Sequence, residues 1–149
     1  MHRFADEDLL QRGPGAFAEE REVRFQDVDA AGLIFYPRVL EYFHDAYVAF
    51  LTHAGAPLPA VLAERSWAAP LRHAEARYRK PLRFGDRVEV GLVRAVVEPT
   101  EATLGWRLLR LSDVVVCAMG QTSHVFVDAQ TFQRREVPEP VRAALERIG

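Results

Sequence analysis

The hydrophobic pattern of the chain changes from a helical period to a strand period at about residue 66. Apolar side chains recur at helical spacing after Pro37 and leave few polar positions, so we expect a helix over residues 37–53. Pro37 suits the first position of a helix, and Gly55 with the prolines after it ends the pattern. A helix this apolar requires other elements packed around it.

The second half of the chain alternates between apolar and polar residues, as strands with one buried face do. The predicted strands cover residues 67–79, 87–97, 101–111 and 114–128, after an earlier strand over 17–26. The apolar face of the 101–111 strand consists of Ala102, Leu104, Trp106 and Leu108. Short turns between these strands favour antiparallel neighbours, and a short helix is predicted over 141–148.

One long apolar helix and several antiparallel strands predict an α+β domain, with a curved sheet wrapped around the helix. The length of 149 residues is ordinary for one domain with a buried core. We expect that domain to cover residues 16–149. Because Gly13, Pro14 and Gly15 interrupt the pattern, residues 1–15 are expected to form a loosely attached lead segment.

Composition narrows the choice of partners. Nineteen Lys and Arg against 21 Asp and Glu give a formal net charge of −2, so no overall positive field favours nucleic acid or an anionic membrane. No apolar run approaches the roughly 20 residues of a membrane span. The first twenty residues are acidic and do not resemble a secretory signal. We therefore expect a cytoplasmic protein that binds neither nucleic acid nor membrane.

The chain offers little for metal or thiol chemistry. Cys117 is the only cysteine and lies in an apolar run, so we expect a core residue and no intramolecular disulfide. His2, His53 and His124 have no partner at metal-ligand spacing. We predict no metal and no organic cofactor.

The most informative segment is VRFQDVDAAGLIFYP, residues 23–37. It combines the end of a strand, an Asp-x-Asp-x-x-Gly turn and a Tyr-Pro helix start. Taken alone, Asp27 and Asp29 are ordinary turn residues. A calcium loop is excluded, because Ala31 and Arg38 stand where an EF-hand needs oxygen ligands.

This segment resembles the opening motif of the 4-hydroxybenzoyl-CoA thioesterase family. Two later segments, WAAPLRHA at 67–74 and YRKPLRFGD at 78–86, are similar to stretches of the related 1,4-dihydroxy-2-naphthoyl-CoA thioesterases. The resemblance implies the hotdog fold and hydrolysis of an acyl-CoA, particularly an aryl-CoA such as hydroxybenzoyl-CoA or dihydroxynaphthoyl-CoA. It also implies a homo-oligomer, either a dimer or a dimer of dimers (a homotetramer).

The resemblance assigns catalytic roles to two residues. Asp29 matches the reactive carboxylate, and the backbone N–H of Tyr36 matches the group that polarises the thioester carbonyl. The chemistry is reasonable, because a helix N-terminus offers free N–H donors to the negative charge that develops on the carbonyl oxygen. Asp29 can act as nucleophile or as general base, and both remain open. Asp27 is assigned a structural role.

Other residues are candidates for contact with the substrate. His44 and His73 are predicted to line the acyl pocket, with core packing as the alternative for each. Phe35, Tyr47 and Trp67 can form an aromatic wall for an aryl group, although core packing explains them equally. Coenzyme A phosphates need cations, and Arg79 and Lys80 are predicted to supply them from the basic cluster of Arg77, Arg79, Lys80 and Arg83. The alternative for that cluster is a solvated strand end.

Two other functions stay open at this point. Another hotdog chemistry is the dehydration of a 3-hydroxyacyl thioester, which requires a histidine and a carboxylate across the site. The second is a protein that is not an enzyme, a module that binds acyl-CoA or a carrier protein without catalysis.

Overall fold

The computed structural model describes residues 1–149. Its longest helix is α2 (Pro37–His53), which has the predicted bounds. Pro37 stands in the first turn, and Gly55 with φ of 83° follows the last turn. The shorter helices are α1 (Asp6–Leu10), α3 (Leu58–Glu64) and α4 (Glu139–Ile148).

Five strands form one antiparallel sheet in the order β1-β4-β5-β6-β3. They are β1 (Phe17–Glu22), β3 (Leu71–Tyr78), β4 (Arg87–Val97), β5 (Glu101–Arg110) and β6 (Val115–Val125). Two short strands, β2 (Trp67–Ala68) and β7 (Val127–Asp128), pair with each other. The order leaves β1 and β3 as edge strands.

Two predicted strands are each divided in the structure. The predicted strand over 67–79 is interrupted at Pro70, whose ring nitrogen cannot donate to a ladder, and β3 starts only at Leu71. The predicted strand over 114–128 breaks between Val125 and Val127. The first strand is shorter than predicted as well, because residues Phe25–Asp27 form a 3-10 turn.

The core lies between α2 and the face of the sheet that is called the inner face below. The Phe43 and Trp106 rings stack there with their centroids 5.8 Å apart. The predicted apolar face of β5 is part of this core, and each of its four side chains is 1% exposed or less. Gly120 in β6 has no Cβ, which lets the Phe43 ring approach the strand closely.

The lead segment covers the opposite, outer face of the sheet, contrary to the expectation that it is loosely attached. Phe4 and Leu9 are 8% and 2% exposed, and they pack with Val93 and Met119. Gly105 in β5 accommodates them, because a Cβ there would lie 2.4 Å from a methyl carbon of Leu9. Burial of these side chains stabilises the segment by the hydrophobic effect. The break at residues 13–15 ends the short helix but does not prevent this packing.

Polar contacts also hold the lead segment. Gln121 accepts a hydrogen bond from the Phe4 N–H and donates one to its carbonyl. Arg107 donates to the Leu10 carbonyl at 3.0 Å, and Arg77 pairs with Asp6. These contacts explain why the polar face of β5 is buried although its sequence pattern predicts exposure. No single helix is long and apolar enough to span a membrane, and α2 with α3 would reach that measure only as a pair bent by 76°.

Candidate active site at the start of helix α2

Asp29 lies in a tight hairpin between the 3-10 turn and α2. Its backbone N–H donates to the Leu33 carbonyl at 2.8 Å, and Val28 bridges Ile34. The Asp29 Oδ1 atom accepts hydrogen bonds from the N–H groups of Ala31 and Leu33 at 2.9 and 3.2 Å. The Oδ2 atom has no hydrogen bond within the protein, and the side chain is exposed. One oxygen therefore fixes the carboxylate and the other stays available for chemistry.

Gly32 lets the hairpin close. Its φ is 78°, in the left-handed region that residues with a Cβ rarely adopt, and its N–H donates to the Asp29 carbonyl at 2.9 Å. The glycine of the Asp-x-Asp-x-x-Gly motif therefore has a direct conformational role in placing the carboxylate.

The start of α2 leaves one backbone donor free. The N–H groups of Ile34 and Phe35 donate to the Leu82 and Asp27 carbonyls, each at 2.8 Å. Pro37 has no N–H. The Tyr36 N–H between them makes no hydrogen bond within the protein. A free donor at the positive end of a 17-residue helix has the chemistry that stabilises negative charge on an oxygen.

Tyr78 fixes the backbone at this point, a contact that the sequence analysis missed. Its phenol donates to the Tyr36 carbonyl at 2.7 Å, across 42 residues of sequence. The hydrogen bond ties the end of β3 to the start of α2. It thereby restricts the orientation of the free donor.

Asp27 is the buried partner of a hydrogen-bond network. Its side chain is fully buried and accepts hydrogen bonds from the Tyr42 phenol at 2.7 Å and from the Arg24 N–H at 3.0 Å. The Arg24 guanidinium lies 3.3 Å away and that of Arg38 3.6 Å. Burial acts to raise the pKa of Asp27, but the hydrogen bonds from Tyr42 and Arg24 outweigh it and hold the pKa below its ordinary value. This geometry supports the structural role predicted for Asp27.

A cavity of about 100 Å³ runs along α2 beyond Tyr36. The helix lines it with Leu40, Phe43, His44 and Tyr47. Leu40, the first helix residue of the lining, lies about one turn after Tyr36. His44 and Tyr47 therefore line a cavity, and their contact with an acyl group stays a prediction.

The sheet supplies the other wall. Its lining residues are Leu71 and Ala74 from β3, Trp106 from β5, and Thr122 and His124 from β6. Two aromatic pairs span the helix and the sheet. Phe43 stacks on Trp106, and Tyr47 stacks on His124 with ring centroids 4.5 Å apart and planes inclined by 23°. The cavity is therefore lined mainly by flat aromatic and apolar surfaces.

His124 is a neutral member of a hydrogen-bond chain in the cavity wall. Burial lowers its pKa to about 4, so the ring carries no charge at neutral pH. Its Nδ1 lies 3.4 Å from the Ala69 carbonyl, and its Nε2 lies 3.2 Å from the Thr122 hydroxyl. The Trp106 indole N–H donates to the same hydroxyl at 2.9 Å.

Thr122 and His124 were missed as cavity residues. His124 was considered only as a metal ligand. The available signal was the two-residue period, which places Thr122 and His124 on the same face of β6 as Gly120. No three His, Cys, Asp or Glu side chains lie together in the structure in a way that could hold a metal ion.

Three predicted substrate-binding residues lie outside the cavity lining. Trp67 is a core residue that packs on Phe126, with ring centroids 5.6 Å apart, which corrects its assignment to the acyl pocket. His73 faces away, because its Nε2 lies 2.9 Å from Glu75 Oε2, whose other oxygen accepts a hydrogen bond from Gln121 on the outer face. Phe35 is 41% exposed, and its ring contacts the Tyr36 ring edge to face.

The predicted cations border the hairpin. Arg79 and Lys80 line a surface depression with Leu33 and Ile34, next to the Asp29 turn. Neither forms an ion pair, whereas Arg77 is paired with Asp6. The unpaired cations Arg79 and Lys80 therefore lie in the same surface region as the Asp29 hairpin. Arg77 instead binds the lead segment.

The fold and the site together define a class of protein. A five-stranded antiparallel sheet packed on one long helix, with a carboxylate hairpin at the helix start, is the arrangement of a hotdog thioesterase. The chain belongs to the thioesterase-like superfamily, which its residues 23–145 match. The predicted family and hotdog fold are confirmed.

Particular relatives agree with this membership. The chain is 33% identical over 128 residues to a 1,4-dihydroxy-2-naphthoyl-CoA hydrolase from Synechococcus elongatus, covering 85% of this chain and 93% of that one. A 1,4-dihydroxy-2-naphthoyl-CoA thioesterase from Synechocystis superposes with a TM-score of 0.81 at 25% identity, covering 87% and 95% of the two chains. A gentisyl-coenzyme A thioesterase gives 0.72 at 26% identity, covering 87% and 99%.

Proposed function

We propose that this chain hydrolyses the thioester bond of an aryl-CoA, with Asp29 as the reactive carboxylate and the Tyr36 N–H as the oxyanion donor. The observation that carries the proposal is the pairing of a free carboxylate oxygen with a free backbone donor in one hairpin above an aromatic cavity. Residues 27–35 pair in antiparallel register, which separates the Asp29 and Tyr36 Cα atoms by roughly 10 Å. This separation leaves room for a thioester group between the Asp29 carboxylate and the Tyr36 N–H.

The acyl group is proposed to be a flat aromatic ring system such as a hydroxybenzoyl or dihydroxynaphthoyl group. Two stacked aromatic pairs line the cavity, and the relatives named above act on aryl-CoA thioesters. The coenzyme A phosphates are proposed to bind Arg79 and Lys80, the unpaired cations beside the hairpin. A cytoplasmic location is part of the same proposal.

A thiol-release screen tests this function. Aryl-CoA thioesters should release free coenzyme A over many turnovers, and short alkyl-CoA thioesters should react more slowly. A parallel crotonyl-CoA hydration assay reports on the dehydratase chemistry, which we expect to be absent. If none of the thioesters released a thiol and crotonyl-CoA were hydrated rapidly, the proposal would be contradicted.

The role of Tyr36 belongs to its backbone, because its side chain is 69% exposed and makes no hydrogen bond. Tyr36→Phe is therefore expected to keep most of the wild-type kcat/KM for an aryl-CoA. Steady-state kinetics with purified variants measure it. A loss as large as that caused by removal of the Asp29 carboxylate would show that the phenol takes part in the reaction and that the oxyanion donor is misassigned.

The exposed edge of β3 supports a proposed homo-oligomer, a dimer or a dimer of dimers. β3 pairs only with β6, so its other edge presents unpaired backbone groups beside the half-exposed Leu71 and Tyr78. The other edge strand, β1, carries Glu19, Glu20 and Glu22, and like charges oppose its pairing with a second copy. Two copies joined along β3 would form a continuous sheet.

We expect light scattering at micromolar concentration to give a mass of two or four chains. Leu71→Lys, which adds a charge to the half-exposed start of β3, is expected to shift that mass towards one chain. A strictly monomeric wild-type protein would contradict the oligomer.

A further inference from the structure

The far end of the cavity contains a phenol without a partner. Tyr47 is mostly buried against the core, and its hydroxyl makes no hydrogen bond within the protein. Burial raises the pKa of this phenol, so it stays a neutral hydrogen-bond donor at neutral pH. Because no group of the protein uses this donor, it is available to a bound group in the cavity.

The position of Tyr47 corresponds to the far edge of a bound ring system. Tyr47 follows Tyr36 by eleven residues, about 16 Å along the helix axis. Helical side chains tilt back towards the N-terminus, so its ring lies closer to the free N–H than that distance indicates. An aryl group whose thioester carbonyl is at the Tyr36 N–H therefore extends along α2 towards the Tyr47 hydroxyl.

The hydrogen-bond chain beside Tyr47 has a defined direction. The Ala69 carbonyl can only accept, so Nδ1 of the neutral His124 ring carries the proton and Nε2 is an acceptor. The Thr122 hydroxyl then donates to Nε2 and accepts from the Trp106 indole. Its single proton is used, and only acceptor capacity remains on Thr122.

This end of the cavity therefore combines a free donor on Tyr47 with an acceptor on Thr122. A phenolic hydroxyl both donates and accepts, so it matches this pair. A carboxylate matches poorly, because the adjacent His124 is neutral. The Tyr47 ring stacks on His124, so the donor and the acceptor belong to the same corner of the cavity.

We propose that Tyr47, with Thr122 beside it, is the specificity-determining residue that recognises a ring hydroxyl on the aryl group. The inference rests on the proposed function and deepens it by assigning the recognition of the hydroxyl to two named side chains. Tyr47 does not take part in the bond-breaking step.

The test compares 4-hydroxybenzoyl-CoA with benzoyl-CoA in the wild type and in Tyr47→Phe. The ratio of their kcat/KM values should favour the hydroxylated substrate in the wild type and fall about 10-fold in the variant, as expected for the loss of one hydrogen bond. Thr122→Val should lower the ratio in the same direction. Thr52→Val makes the same chemical change as Thr122→Val on the exposed side of α2, outside the cavity, and should keep the wild-type ratio.

Thermal unfolding provides a second readout. Because the Tyr47 hydroxyl has no partner in the protein, Tyr47→Phe should leave Tm unchanged or raise it, whereas a structural hydroxyl would lower it. An unchanged substrate ratio in Tyr47→Phe would overturn the proposal. If the wild type hydrolyses neither thioester, the proposed function fails, and the ratio of Kd values for the same two thioesters decides the inference instead.

Discussion

Asp29→Asn is expected to reduce kcat for an aryl-CoA by about 10²–10⁴-fold, and by more if Asp29 forms a covalent intermediate. The amide cannot act as a base or as an effective nucleophile. It can still place an oxygen where Oδ1 accepts the Ala31 and Leu33 N–H groups, so the hairpin and Tm should change little. Steady-state kinetics and thermal unfolding of the same preparation measure both quantities.

Retention of near-normal turnover with an intact fold would refute the assignment of Asp29. The reactive carboxylate would then have to be sought at Asp27, Glu41 or Asp45. Glu41 and Asp45 each form an ion pair, with Arg38 and Arg21 respectively. Unfolding of the variant would instead show that the motif is a structural turn.

Asp27→Asn is expected to have the opposite profile, with a large effect on stability and a smaller effect on rate. The carboxylate is fully buried and accepts hydrogen bonds from Tyr42 and Arg24. Loss of the charge should lower the free energy of unfolding by about 1.5 to 3 kcal/mol, the range for hydrogen bonds to charged groups. Urea unfolding at neutral pH measures this loss. A variant as stable as the wild type would show that the network is unimportant.

The same pair of proteins gives a pH test. The pKa of Asp27 is lower in the folded protein than in the unfolded chain, where it is about 3.9. Its stabilising contribution is therefore fully present above that unfolded value and is lost as the pH falls through the folded pKa. The difference in unfolding free energy between wild type and Asp27→Asn should accordingly shrink as the pH falls below about 4.

The parts of the fold that depend on local pattern could be predicted from the sequence. The bounds of α2 follow from Pro37, the helical period and Gly55, all of which act over a few residues. The lead segment could not be predicted, because Phe4 and Leu9 become core residues only against the outer face of a sheet formed by residues far along the chain. Its few apolar residues have no partners within the segment itself.

The same distinction applies to the site. Asp29 and Tyr36 lie in one short hairpin, so their proximity follows from contiguous sequence. His73 was misplaced because the β3–β6 register shifts between Leu71 and His73, and such an irregularity changes which side chains of a strand face the core. Leu71 consequently lines the cavity, and His73 faces the other side. Thr122 and Tyr78 act through partners distant in sequence, which no local pattern indicates.

The number of thiols released per protomer from an aryl-CoA tests the central claim most directly. A fixed amount of wild-type protein is mixed with excess 4-hydroxybenzoyl-CoA, and free coenzyme A is followed with a thiol reagent, with Asp29→Asn as the matched control. The account predicts continuous release of many equivalents by the wild type and nearly none by the variant. Stoichiometric binding of the thioester by both proteins, without release of thiol by either, would contradict it and identify the chain as a binding module.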